Sequence, residues 1–113
     1  MCLHTYFEPD QVQSLFDSLS RMWADYKRPI WLNEFACPPY KQCSADDQLT
    51  FMQKVLPRLE ALPYLFRYAW FEARAQGNES LLVPSVNASS AELTALGRYY
   101  NDFVPNTSAS QLP

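Results

Sequence analysis

The chain has 113 residues, of which 48% are hydrophobic and 15% aromatic, and its formal net charge is −3. This composition predicts one folded domain with an apolar core, and it argues against intrinsic disorder. The chain contains no basic run that would bind nucleic acid or an anionic membrane. No apolar run approaches the roughly 18 residues of a membrane span.

The first part of the chain predicts two strands separated by a helix. Residues 3–7 are rich in aromatic and β-branched types, as in a strand. Apolar residues then recur at spacings of three and four between Val12 and Tyr26, which predicts an amphipathic helix. The uninterrupted apolar run at 30–32 predicts a second strand that is buried on both faces, the usual state in a parallel sheet.

The second predicted strand carries an acid near its end. Side chains alternate along a strand, so Glu34 is predicted to share one face with Ile30 and Leu32, while Phe35 lies on the other. A carboxylate that ends a buried strand needs either a partner or a task. A structural salt bridge and a catalytic role are both open on this segment alone.

The second part of the chain predicts two more helices around a third strand. Ser44 begins a helix with Asp47 as its capping-box partner, and Pro57 inside that helix predicts a kink or a break. Residues 64–71 predict the third strand. A second capping box, which begins at Ser89, predicts the start of the last helix.

Strands and helices therefore alternate, which predicts an α/β fold with right-handed crossovers and a parallel sheet. The pattern is typical of a (β/α)₈ barrel, which needs ~250 residues, so this chain holds about three of the eight units. The polar loop over 72–89 is long enough to be functional or disordered. Residues 1–104 form the predicted domain, and the polar tail over 105–113 is predicted to be disordered.

Several features of the chain favour secretion of the full-length protein. Acceptor sequences for N-glycosylation begin at Asn78, Asn87 and Asn106. Cys37 and Cys43 lie in one proline-containing loop, where a local disulfide and two free thiols are both open, and Cys2 has no predicted partner. The N-terminus itself is unlike a secretory signal.

Four sequence blocks carry a specific resemblance to a known family. They are Leu3-His4-Thr5-Tyr6, Arg28-Pro29-Ile30-Trp31-Leu32-Asn33-Glu34-Phe35-Ala36-Cys37, Arg67-Tyr68-Ala69-Trp70-Phe71 and Leu93-Thr94-Ala95-Leu96-Gly97-x-x-Tyr100. In this order they resemble the C-terminal part of family-128 glycoside hydrolases, clan A (β/α)₈ barrels that cleave β-1,3-glucans with retention. The resemblance implies that the three strands are the sixth, seventh and eighth of such a barrel.

The resemblance also implies roles for four residues, while Asn33 stands where the family usually has Thr and its role is open. Glu34 would be the catalytic nucleophile at the end of the seventh strand. His4 and Tyr6 would line the site, and Trp70 would provide a flat apolar platform on which a sugar ring stacks. Asn33 would either position a sugar hydroxyl or orient Glu34. The implied ligand is a β-glucan, and no metal or other cofactor is expected.

One catalytic group of the family has no counterpart in this chain. A retaining glycosidase needs a protonated carboxyl ~5 Å from its nucleophile. The family's acid/base glutamate lies on the fourth strand, and Glu72 is interpreted as a solvated loop acid rather than as its replacement. We therefore predict that the isolated chain does not hydrolyse β-1,3-glucan.

Two further hypotheses are open as alternatives to a hydrolase fragment. The chain could bind glucan without cleaving it, or it could be a structural fragment that completes a barrel by pairing with another chain through its open strand edges. For the full-length protein, the resemblance implies an extracellular or cell-wall location.

Overall fold

The structure is a computed structural model that describes residues 1–38, 41–83 and 92–105. Its elements, in chain order, are β1 (Cys2–Tyr6), α1 (Val12–Tyr26), β2 (Ile30–Ala36), α2 (Ala45–Glu60), β3 (Leu65–Trp70) and α3 (Ala95–Asp102). The predictions made for Asn87, Ser89, Asn106 and the tail beyond Pro105 lie outside the described residues.

The three strands form one parallel sheet in the order β1-β2-β3. Each strand is followed by a helix, as a parallel sheet requires, because the chain must return to the starting edge before the next strand begins. The predicted α/β fold with parallel strands is therefore confirmed. None of the described helices is both long and apolar enough to cross a membrane.

Helix α2 begins and continues for identifiable local reasons. The Ser44 hydroxyl accepts from the Asp47 N–H and the Asp47 carboxylate accepts from the Ser44 N–H, so the predicted capping box is present. Of the predicted kink or break at Pro57, the break does not occur, since Pro57 lies inside a helix that runs to Glu60. Buried apolar side chains on both sides of the proline hold this turn against the sheet.

Helix α3 begins later than predicted. Its N-cap is Thr94, whose hydroxyl accepts from the Gly97 N–H at 3.0 Å. The residues before Thr94 serve the preceding loop instead, because the Glu92 carbonyl accepts from the Val83 N–H. Gly97 packs directly on the Leu81 carbonyl, where a side chain would have no room. Residues 92–94, which were predicted to be helical, are therefore outside the helix, and α3 begins at Ala95.

The apolar core lies between the helices and one face of the sheet. Its most deeply buried members come from α1, β2 and α2: Leu15, Leu19, Ile30, Leu32, Phe35, Phe51, Met52, Leu56 and Leu59. We call this the covered face of the sheet. The opposite face carries the exposed side chains of Trp31 and Phe66, which are 45% and 54% exposed. We call it the open face. The prediction that β2 is buried on both faces is therefore wrong for this chain.

Candidate functional site

A bulge in β2 decides where Glu34 points. Leu3 of β1 pairs with Leu32, but the next residue, His4, pairs with Glu34, so Asn33 is an extra residue in β2. The extra residue reverses the alternation, and Phe35 instead of Glu34 joins the core of the covered face. The prediction that Glu34 shares a face with Ile30 and Leu32 was therefore wrong.

Two side chains of β1 hold the Glu34 carboxylate. The Tyr6 hydroxyl donates to Oε1 through a short hydrogen bond, and Nδ1 of His4 lies 3.2 Å from Oε2. Both carboxylate oxygens are thus engaged from the neighbouring strand, while the Glu34 side chain keeps 22% of its surface exposed. The arrangement fixes a carboxylate and leaves it accessible to a ligand, which is what a nucleophile needs.

The Tyr6 phenol stays protonated and acts as a donor. Burial is the largest cause that raises the Tyr6 pKa, followed by its hydrogen bond to Glu34 and the negative charges of Glu34, Glu72 and Glu79. A protonated phenol donates to the carboxylate across the whole neutral range. Of these three carboxylates, that of Glu34 is in direct contact with the phenol.

Phe71 adds an aromatic ring to the site, a position that was not predicted from the sequence. It follows β3 directly, its N–H donates to the Phe35 carbonyl at 3.1 Å, and its ring meets the Tyr6 ring edge to face with centroids 6.4 Å apart. Its position beside Tyr6 puts a partly exposed aromatic ring next to the Glu34 carboxylate. Alternation predicts that Trp70 and Phe71 point to opposite faces, but it does not indicate which of the two faces the site.

Trp70, the predicted sugar platform, lies in the core. It is 6% exposed, and its ring packs against Phe35 and Phe51 with centroid distances of 5.2 and 6.1 Å. Its indole N–H donates to the Glu79 carbonyl at 2.8 Å. A ring that is covered in this way offers no face to a sugar, so its position does not fit the stacking role.

Asn33 lies on the open face, away from the groups that hold Glu34. It lines a small cavity of about 190 Å³ together with Trp31, Arg67, Tyr68 and Ala69. In the described part of the chain, no hydrogen bond joins the Asn33 side chain to Glu34. Its exposure leaves the amide accessible to a ligand.

The loop after β2 is closed by a disulfide between Cys37 and Cys43, while Cys2 is free and exposed. The alternative of a local disulfide is therefore the one observed. The fully buried Gln48 accepts from the Cys37 N–H at 3.1 Å and donates to the Cys37 carbonyl at 2.9 Å. The Asn78 side chain donates to the Cys43 carbonyl at 3.0 Å, which joins this loop to the loop after β3.

The site can therefore be described by its chemistry. His4, Tyr6 and Glu34 come together at the carboxyl ends of two parallel strands, with Phe71 beside them, while Asn33 lies apart and Trp70 is buried. Within the described residues, no group of three or more His, Cys, Asp or Glu side chains could hold a metal ion. The arrangement suits attack by a carboxylate on an uncharged ligand.

Comparison with known proteins identifies the class. The family described as "Glycosyl hydrolase catalytic core" matches residues 1–100. The chain therefore belongs to the glycosyl hydrolase catalytic-core family. It is also similar to "Alkali-sensitive linkage protein 1" of Schizosaccharomyces pombe, with 33% identity over an 85-residue alignment that covers 68% of this chain and 15% of that protein.

Solved structures narrow the likeness to glycoside hydrolase family 128. A subgroup II endo-beta-1,3-glucanase from Sorangium cellulosum has a TM-score of 0.73 and 29% identity over 94% of this chain and 40% of its own. A subgroup II enzyme from Pseudomonas viridiflava has a TM-score of 0.68 and 30% identity over 92% of this chain and 39% of its own. These likenesses confirm the family-128 resemblance.

A subgroup I endo-beta-1,3-glucanase from Amycolatopsis mediterranei has a TM-score of 0.74 and 25% identity over 89% of this chain and 43% of its own. That enzyme was solved in complex with laminaritriose and laminaribiose. The chain thus spans about two fifths of the length of these solved glucanases.

Proposed function

We propose that this chain provides the nucleophile side of a retaining β-1,3-glucanase site, with Glu34 as the nucleophile. The observation that carries the proposal is the Glu34 carboxylate on the open face, held by Tyr6 and His4 at the carboxyl ends of parallel strands. Active sites of (β/α)₈ barrels lie at this end of the strands. The solved glucanases with which the chain shares its fold support β-1,3-glucan as the substrate.

The reaction follows from the position of the carboxylate. In the first step, Glu34 attacks the anomeric carbon and forms a glycosyl ester, and the leaving oxygen takes a proton from an acid/base group. Tyr6 and His4 hold the carboxylate in the orientation for this attack. In the second step, water attacks the same carbon and gives its proton back to the acid/base group, and Glu34 leaves as a carboxylate.

We assign the three strands as the sixth, seventh and eighth of a (β/α)₈ barrel. The family's acid/base glutamate belongs to the fourth strand, so the isolated chain lacks the group that protonates the leaving oxygen. Hydrolysis of β-1,3-glucan by the isolated chain is therefore not expected. The partly exposed ring of Phe71 replaces the buried Trp70 as the surface against which the sugar packs.

We further propose that the full-length protein works outside the cell or in the cell wall. The Cys37–Cys43 disulfide supports this location, because disulfides persist in oxidising compartments. A glucan substrate in the wall is consistent with the same location.

A mechanism-based inactivator tests the role of Glu34 without needing the missing acid. In the reagent, a laminaribiose derivative, fluoride is the leaving group at the anomeric carbon and a second fluorine replaces the 2-hydroxyl. Fluoride leaves without protonation, so a correctly placed carboxylate forms a stable glycosyl ester. We expect peptide mass spectrometry to find the added disaccharide on Glu34 after incubation of the 113-residue chain.

Two variants control the labelling experiment. Glu34→Gln should remain unlabelled, whereas Glu92→Gln, a change at an exposed acid before α3, should label like the unsubstituted chain. A remnant that only binds glucan, or a fragment that only pairs with another chain, would give no ester at all. Absence of label on Glu34, or equal label on other carboxylates, would contradict the proposal.

A further inference from the structure

The loop after β3 contains an acceptor sequence for N-glycosylation that lies wholly within the described residues. Asn78, Glu79 and Ser80 form this sequence. Asn78 is exposed, whereas Ser80 keeps only 2% of its surface. The acceptor sequences that begin at Asn87 and Asn106 lie outside the described residues. The surroundings of Asn78 therefore show whether a sugar fits there.

The Asn78 amide has both open space beside it and a hydrogen that can be replaced. Asn78 lines a cavity of about 220 Å³ at the starts of α2 and α3, where Leu49 and Leu96 form part of the wall. Its amide nitrogen donates one hydrogen to the Cys43 carbonyl at 3.0 Å, but a primary amide carries two. A glycosidic bond replaces the second hydrogen, so the modified chain keeps the hydrogen bond between the two loops.

The cavity beside Asn78 lies on the side of the covered face. Its walls come from α2, α3 and the loop after β3, and these helices pack on the face of the sheet opposite to Trp31. The Glu34 carboxylate is held on the open face by Tyr6 and His4. A glycan on Asn78 therefore begins on the opposite side of the sheet from Glu34.

Ser80 indicates when the sugar is added. Its hydroxyl accepts from the Ala75 N–H at 2.9 Å and donates to the Leu82 carbonyl at 2.6 Å. The transferase has to contact this hydroxyl as well as the asparagine amide, because the hydroxyl defines the acceptor sequence. A buried and bonded hydroxyl excludes that contact in the folded chain. Addition of the sugar therefore has to precede folding of this loop.

We propose that Asn78 is N-glycosylated before the loop after β3 folds, and that the folded chain carries the glycan on the side of the covered face. The donor is an oligosaccharide linked to a polyprenyl diphosphate. The Asn78 amide nitrogen bonds to the anomeric carbon of the first sugar as the bond from that carbon to the diphosphate oxygen breaks. The amide loses one proton, and the polyprenyl diphosphate leaves with the bonding electrons.

The proposal shares its compartment with the proposed function but does not depend on the role of Glu34. The Cys37–Cys43 disulfide supports passage through an oxidising compartment. The carbonyl that accepts from Asn78 belongs to one of these two cysteines. The modified asparagine therefore holds the disulfide loop against the loop after β3.

Secretion of the 113-residue chain from yeast, behind a signal sequence that is removed on export, tests the proposal. Enzymatic release of the glycan in heavy-oxygen water converts a modified asparagine to a labelled aspartate, which peptide mass spectrometry locates. We expect the label on Asn78 in most secreted copies. Asn78→Gln and Ser80→Ala should lose it, whereas Ser80→Thr keeps a hydroxyl and should retain it.

Protein from whole cells is measured beside the secreted protein. Because addition precedes folding, a variant that does not fold still reports through its cellular copies whether Asn78 was modified. Absence of label on Asn78 in the unsubstituted chain would overturn the proposal. Label that is confined to copies retained in the cell would contradict a folded chain that carries the glycan.

The order of the two events is tested with the unmodified chain made in bacteria. Purified oligosaccharyltransferase and its lipid-linked donor should leave Asn78 of the folded chain unmodified, while a short peptide with the same acceptor sequence is modified in the same mixture. Equal modification of chain and peptide would overturn addition before folding. These outcomes do not bear on Glu34, whose role is decided separately by the fluoride reagent.

Discussion

The two faces of β2 differ in what holds their side chains. Ile30, Leu32 and Phe35 on the covered face have no exposed surface, and each packs among helix side chains. On the open face, Trp31 keeps 45% of its surface exposed, and among the described residues Glu34 is held by Tyr6 and His4. The two faces of one strand therefore have different roles, since the covered face stabilises the fold by packing while the open face presents groups to a ligand.

The largest expected effect comes from substituting aromatic residues on the two faces of this strand. Phe35→Ala should lower the free energy of unfolding by about 3–5 kcal/mol, because it leaves a cavity in the core. Trp31→Ala should cost about 1 kcal/mol, since its main contact is the stacked ring of Phe66 at 5.8 Å. Urea unfolding of the 113-residue chain, followed by circular dichroism, measures both values.

An equal loss in the two variants would mean that the open face is covered in solution. Repeating the urea titration at two protein concentrations would then show whether a second copy covers it. If Phe35→Ala is too unstable to fold, Phe35→Leu replaces it, with an expected loss of about 1 kcal/mol. Its matched control is Phe66→Leu on the open face, which should change the free energy of unfolding by less than about 0.5 kcal/mol.

Local sequence signals predicted the covered face better than the open face. The helical periodicity, the capping box at Ser44 and the alternation of strands with helices each depend on residues close in sequence, and each was found in the structure. The direction of Glu34 depends on the bulge at Asn33, which exists only through pairing with β1. No pattern within β2 alone reveals such a bulge.

The same limit explains why Trp70 was predicted to lie in the site, where the structure has Phe71. Trp70, the larger ring, was predicted to lie in the site, but the pairing of β3 with β2 is irregular. Its register shifts between Ile30 and Trp31 and again between Leu32 and Phe35. Which of two adjacent aromatic residues faces the core is decided by that register and by the hydrogen bond from Trp70 to the loop. The composition of the block could not distinguish them.

A smaller loss of stability is expected from removing the hydrogen bonds that Gln48 makes with Cys37 after the end of β2. Gln48→Met removes both hydrogen bonds to Cys37 and leaves a buried N–H and carbonyl without partners. We expect the free energy of unfolding to fall by about 2–3 kcal/mol. Gln53→Met, at an exposed position of the same helix, is the matched control and should change it by less than about 0.5 kcal/mol.

Urea unfolding measures the Gln48 effect, and hydrogen exchange at the Cys37 amide locates it. Faster exchange at Cys37 together with normal exchange in the middle of α2 would show that the amide pair holds the end of the strand. A loss no larger than that of the control would mean that the disulfide alone is sufficient to hold Cys37.

The smallest effect on stability is expected from two tyrosines, which lie on opposite sides of the sheet and each donate a hydrogen bond to a carboxylate. Tyr68 donates to Glu60 at 2.5 Å near α2, as Tyr6 donates to Glu34 on the open face. Burial, followed by these carboxylates, raises the pKa of both phenols. Near pH 10 the unfolded chain loses these protons while the folded chain keeps them. The unfolded state then binds fewer protons, so stability falls as pH rises above 10.

Each tyrosine with a raised pKa contributes at most about 1 kcal/mol of this loss between pH 10 and 11. Thermal unfolding over that range should therefore show a shallower decline for Tyr68→Phe than for the unsubstituted chain, and likewise for Tyr6→Phe. Identical pH profiles in all three proteins would show that neither phenol keeps its proton in the folded chain above pH 10.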